Sequence, residues 1–113
     1  AGERPISGPI VLVESAIDAL SYAELHAQDG PYVVISTAGA RPRTPAFLPD
    51  KARLVCAYDA DAEGDRCAAR IGAERQRPPH GKDWNDTLKA WKSGAWPPQS
   101  EAEPEPASGP SPM

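Results

Sequence analysis

A chain of 113 residues fits a single domain, and Cys56 and Cys67, its only cysteines, lack the CxxC spacing of a zinc site and read as buried packing. Formal net charge is −4, but Glu101, Glu103 and Glu105 sit in a C-terminal stretch without Lys or Arg, so the rest of the chain is near −1. That balance excludes a basic nucleic-acid clamp, and the absence of a signal peptide, long apolar run or lipidation motif makes a cytoplasmic protein with no membrane partner the expectation.

Residues 1–9, AGERPISGP, read as a linker, and with no initiator Met the whole reads as a domain excised from a larger protein. Ile10 to Glu14 is a β-rich run entered through Gly8-Pro9. Ser15 is a good N-cap, with Asp18 where a capping box carries Glu or Gln. From Ala16 to Gln28, Ile17, Leu20, Ala23 and Leu25 recur at helical spacing, and Gly30-Pro31 stops the helix. Tyr32 to Ser36 is a second β-branched run, followed by a loop from Thr37 to Pro45. Arg53 to Tyr58 is a third strand, and Glu63 to Ile71 a short helix that turns Ala68, Ala69 and Ile71 inward. Ala73 to Arg77 is a brief, edge-like fourth strand. Trp84 to Lys92 is the last helix, with Trp84, Leu88 and Trp91 as its core stripe.

Strand and helix thus alternate, which predicts an α/β fold with a mainly parallel sheet of about four strands and right-handed crossovers. The folded domain is expected over 10–95, as a monomer. Residues 96–113, rich in Pro, Ser and Glu, are expected to be disordered.

If the strands are parallel, three acidic segments share their carboxyl edge, where open α/β sheets place their sites. Glu14 ends the run IVLVE; it is either a helix cap or a general acid/base or metal ligand. Asp59 and Asp61 follow RLVCAY, and alternate residues on an extended segment point to one side, so both can aim at one ion. Asp65, one helical turn on, adds either a ligand or a helix N-terminal charge, and Gly64 lets backbone approach a phosphate. In HGKDWND, Lys82 suits a phosphate, while Asp83, Asn85 and Asp86 either extend the acidic cluster or cap the last helix. Arg41 and Arg43, in the loop after strand two, are either solvated or substrate-phosphate contacts. His26 and His80 read as chemically idle, and Tyr22, Tyr32 and Tyr58 fall in core elements. Gathered carboxylates suit a hard cation such as magnesium.

Together these residues resemble the Toprim domain, shared by bacterial primases, type IA and type II topoisomerases, and some nucleases and recombination proteins. That family pairs a Glu after its first strand with a DxD after a later one; VESAIDALS supplies Glu14, and YDADAEGD supplies Asp59 and Asp61. The primase-like branch also carries a KD-x-N-D-like segment, matched by KDWND from Lys82 to Asp86, and a glycine-containing loop after strand two, matched by STAGARP. The resemblance spans Ile10 to Trp91, with a shortened stretch between DADAEGD and KDWND. It implies a Toprim-like, Rossmann-like sheet. It implies Glu14 as general acid/base beside a catalytic Lys82, and Mg2+ or Mn2+ on Asp59 and Asp61 with Asp65 and Asp86 as further ligands. It implies nucleotidyl transfer of the DNA primase kind, in a plasmid or mobile-element primase or relaxase protein. DNA or RNA and nucleotides would then be met through the parent protein.

Other families fit less well. A response-regulator receiver carries an acidic pair after strand one and a Lys followed by Pro, whereas Glu14 is followed by Ser and Lys82 by Asp. Phosphatases of the haloacid-dehalogenase type place DxD after the first strand. A Toprim nuclease and a non-catalytic Toprim-like docking module remain as alternatives.

Overall fold

The computed structural model describes residues 8–46, 48 and 52–98. The expected tail beyond residue 98 and the linker over 1–7 lie outside the described residues. The elements are β1 (Ile10–Val13), α1 (Ala16–Leu25), β2 (Val33–Ser36), β3 (Leu54–Cys56), α2 (Ala62–Ile71), β4 (Glu74–Arg75) and α3 (Trp84–Ser93). They build one four-stranded sheet in the order β2-β1-β3-β4, with every pairing parallel. The expected α/β architecture is therefore observed.

β1 explains why the sheet has two covered faces. Its residues IVLV are all buried, as a central parallel strand demands. Ile10 and Leu12 pack on one face with Cys56, Tyr58, Cys67 and Ala68 of the α2 layer. Val11 and Val13 pack on the other with Tyr22 of α1, Trp84 of α3, Val55 and Ala57. The two helical crossovers, β1 to β2 and β3 to β4, run in opposite directions across the sheet. Right-handed connections then put α1 and α2 on opposite faces. The strand order reverses between β1 and β3, the position where open α/β sheets leave a crevice at the carboxyl ends.

α1 is shorter than expected, and α1 and α3 bury other faces than their apolar spacing predicts. α1 ends at Leu25, with His26 as its C-cap. Its inner face is Asp18, Ser21 and Tyr22, while Ile17 and Leu20 are 58% and 72% exposed. The expected apolar stripe is corrected because α1 packs chiefly against α3, not flat on the sheet. The Tyr22 ring meets Trp84 edge-on at 4.8 Å and Tyr32 at 5.6 Å, an arrangement aromatic pairs favour. In α3 the buried residues are Trp84, Thr87 and Ala90, and Trp91 is 45% exposed. Small Thr87 and Ala90 leave room for close packing where a Leu88–Trp91 ridge would hold it off. β3 and β4 are each shorter than expected, and β4 pairs only Glu74 and Arg75 with Val55 and Cys56. Cys56 and Cys67 are buried free thiols. No described helix is long and apolar enough to cross a membrane.

Candidate functional site

β1 and β3 end side by side at the switch point, and their next residues meet there. The Asp59 backbone N–H donates to Glu14 Oε2 at 3.0 Å. Glu14 and Asp59, 45 positions apart, are thereby fixed as neighbours. Asp61 closes the turn by capping α2, its Oδ1 accepting from the Gly64 N–H at 2.8 Å. The third segment is joined to this turn by backbone: the Ala60 N–H donates to the Lys82 carbonyl at 2.7 Å. Asp83 then caps α3 through the Asp86 N–H at 2.8 Å.

One interaction sets the shape of the β3 turn. Arg75, from β4, donates to the carbonyls of Cys56 (3.2 Å), Tyr58 (2.7 Å) and Asp59 (2.6 Å), and its Nε reaches Asp65 Oδ1 at 2.9 Å. The guanidinium thus satisfies the Tyr58 carbonyl, which has no backbone donor among the described residues, and adds a second bond to the Cys56 and Asp59 carbonyls, which already accept the Gln76 and Asp61 N–H groups. Gly64 makes this possible: a Cβ there would overlap the Asp59 carbonyl oxygen and the Arg75 guanidinium. The glycine accommodates a protein group rather than a phosphate. Gly64→Ala is accordingly expected to lower stability by about 1–3 kcal/mol, although Ala is ordinarily the better helix former by about 1 kcal/mol. A thermal melt that rises would refute the clash.

The carboxylates feel one another. Burial, then the charges of Glu14, Asp18, Asp83 and Asp61, push the Asp59 carboxyl up to about 6. Glu14 is raised too, chiefly by burial, with the Asp59 N–H opposing and the Asp61 charge adding. Asp18 is raised chiefly by burial and is only 4% exposed; its Oδ1 accepts the Asn85 N–H at 3.4 Å. Asp59 Oδ1 is buried and has no hydrogen-bond partner among the described residues. A buried acceptor left bare is costly, and such atoms in native sites call for a missing ligand or water.

Other candidates are placed elsewhere. Asp65 is held by Arg75 and Arg77, which keep its carboxyl far below the usual carboxylate range. Asp86 Oδ2 accepts the Lys82 N–H at 2.9 Å and packs on Gly81. Lys82 itself is exposed, in the loop beside the Asp59 turn. Arg41 folds back on its own loop, donating to the carbonyls of Thr37 (3.2 Å) and Ala38 (3.3 Å). With Arg43 and Thr37 it lines a cleft of about 280 Å³. That loop borders the site, because the Gly39 N–H donates to the Glu14 carbonyl at 2.7 Å. The Tyr58 hydroxyl anchors it from below, accepting from the Arg41 N–H at 3.3 Å.

Asp18, Gly64 as a packing residue, and Arg75 were not singled out by the sequence for these places. Asp18 lies four positions after Glu14, one helical turn into α1, a spacing that could have flagged it. Nothing in the stretch AERQR marks Arg75.

Among the described residues, no three His, Cys, Asp or Glu side chains are set to ligate one ion together. Like charges at the end of two strands repel. The donor set nonetheless fits a hard divalent cation, being all carboxylate oxygen with one buried oxygen unpartnered.

A family profile described as Toprim-like matches residues 11–88, a span that holds Glu14, both DxD aspartates and the KDWND segment. Searches of curated proteins and of solved structures found no match. Toprim domains generally bind Mg2+ and are typically found in enzymes that act on nucleic acid. With the profile covering well over half its length, the chain belongs to the Toprim-like family.

Proposed function

We propose that this chain is the metal-binding module of a nucleic-acid enzyme that transfers phosphoryl or nucleotidyl groups, most akin to the primase-like branch, in a primase or relaxase-associated protein. The observation that carries the reading is the buried, unpartnered Asp59 Oδ1 beside Glu14 at the reversal point of the sheet. The KDWND segment at Lys82 to Asp86, joined to the DxD turn by the Ala60–Lys82 bond, supports the primase-like assignment.

In this reading Asp59 and Asp61 hold Mg2+ or Mn2+, with the Asp83 charge close enough to be felt at Asp59. The bound ion would neutralise charge on the phosphoryl group being transferred. Glu14 moves the proton. Its Oε2 is held by the Asp59 N–H, so Oε1 is the atom that takes or returns it. Burial raises its carboxyl toward neutrality, as general acid/base work requires. Lys82 and the cleft of Arg41 and Arg43 receive substrate phosphates.

The test is calorimetric titration with Mg2+ or Mn2+ from neutral pH downward. Ligand carboxylates must be deprotonated. Affinity is therefore expected to fall about tenfold per unit once pH drops below the Asp59 value of about 6. No binding at neutral pH, or binding indifferent to pH through that range, would count against the site. Loss of primer synthesis or strand transfer in the parent protein on Glu14→Gln tests the chemistry.

A further inference from the structure

A second feature has no part in the acidic site. Below α1 and α3, on the β4 side, lies a cleft of about 430 Å³ whose wall includes His26, Gln76, Arg77, Trp84, Trp91 and Trp96. Its size suits a small planar ligand. Three tryptophans is the whole complement of the chain. Trp84 is a structural member, 2% exposed and donating from Nε1 to the Ala57 carbonyl at 2.8 Å. Trp91 is different: it is 45% exposed.

The polar groups of the wall are paired on one side only. His26 stacks on Tyr22 at 3.9 Å. Its Nδ1 lies 2.9 Å from the Tyr22 carbonyl, which can only accept, so Nδ1 donates. In the neutral ring Nε2 is then an acceptor. Gln76 Oε1 accepts the Tyr22 hydroxyl at 2.8 Å, and its amide N–H donors have no partner among the described residues. Arg77 engages Asp65 through Nε and Nη2, leaving Nη1. The cleft therefore offers ring faces together with a donor and an acceptor at the edges. Nucleobases present such a combination: a flat π-face and a donor–acceptor rim. Along α3 the cleft runs from Trp84, at the end that meets the acidic edge, to Trp91, about 10 Å further on. Trp84 directly follows Asp83, the cap of that helix.

We propose that this cleft holds an unstacked base of a single-stranded nucleic acid, stacked on Trp91, while the backbone of the same strand runs to the acidic edge. The proposal rests on the reading that the chain acts on nucleic acid. A base cleft supplies contact without basic charge, which this near-neutral domain lacks.

The experiment follows the indole N–H resonances and tryptophan fluorescence of the chain during titration with a thymidine tetranucleotide. The controls are an abasic tetranucleotide of equal charge and a proline-rich peptide. The thymidine oligomer is expected to shift Trp91 and Trp96 and quench fluorescence, and the abasic oligomer to do neither. Trp91→Ala is expected to weaken oligomer binding about tenfold, and Trp91→Phe to restore most of it. Mg2+ titration should be unchanged in both variants, because Trp91 lies outside the acidic site. Equal binding of the abasic oligomer would reduce the contact to phosphate and overturn the proposal. So would perturbation of the tryptophans by the proline-rich peptide alone, or full affinity in Trp91→Ala. Failure of Mg2+ binding with base binding intact would instead overturn the metal reading and leave the cleft standing.

Discussion

Asp59→Asn combined with Asp61→Asn is expected to abolish divalent-cation binding while leaving the domain folded. Asparagine keeps the shape of each side chain and removes its charge. At Asp61 the choice matters, because Oδ1 caps α2 through the Gly64 N–H. Asn caps a helix about as well as Asp, whereas Ala costs about 1 kcal/mol. At Asp59 the direction of the stability change follows from linkage. Its carboxyl is raised from 3.8 to about 6, so the folded state holds the proton more tightly than the unfolded state across that window. Stability without metal therefore falls as pH rises from about 4 to 6. The double variant should lose that fall and, at neutral pH without metal, melt at or slightly above the native temperature. Binding is checked by calorimetric titration with Mg2+ or Mn2+, and folding by a melt at two pH values. Undiminished binding in a folded double variant would remove both aspartates from the ligand set.

Arg75→Ala should be the most destabilising single change at the site. The guanidinium, 19% exposed, bonds to the Cys56, Tyr58 and Asp59 carbonyls. Hydrogen bonds from a charged donor contribute about 1.5–3 kcal/mol each, and the Tyr58 carbonyl, left without a donor among the described residues, adds desolvation cost, while the Cys56 and Asp59 carbonyls keep the Gln76 and Asp61 N–H groups. Partial access of water lowers the total, so about 3 kcal/mol is expected. For a domain of this size that corresponds to a fall in Tm on the order of 10 °C or more. Arg75→Lys should recover little, since one ammonium cannot reproduce the planar fork that spans several carbonyls. The Asp59 carboxylate should also lose its fixed position, so metal affinity falls with stability. A Tm within a few degrees of native in Arg75→Ala would show that the turn holds itself.

Much of this arrangement was written locally. The run IVLV reads as a strand, and Ser15 and Asp83 each stand where a helix needs a side-chain acceptor. The alternation of strand and helix dictated parallel pairing, and parallel pairing put Glu14 and Asp59 at one edge. These features depend on near neighbours in the chain and on the period of the backbone, so a one-dimensional reading reaches them.

What it did not reach depends on distant partners. The faces that α1 and α3 bury are set by each helix's contact with the other, which is why Ile17, Leu20 and Trp91 are exposed and Asp18, Thr87 and Ala90 are not. Apolar spacing alone cannot say which face meets a neighbour. Asp65 stood open between a metal ligand and a helix N-terminal charge until Arg75 of β4 and Arg77 just after it came against it. The length of β4, two residues, gave no hint that one of them clamps the DxD turn. The sequence by itself determined the sheet, its caps and the edge on which the acids gather. Only the tertiary structure decided which acids stay free of cationic partners, because pairing and desolvation belong to groups that are far apart in the chain and adjacent in space.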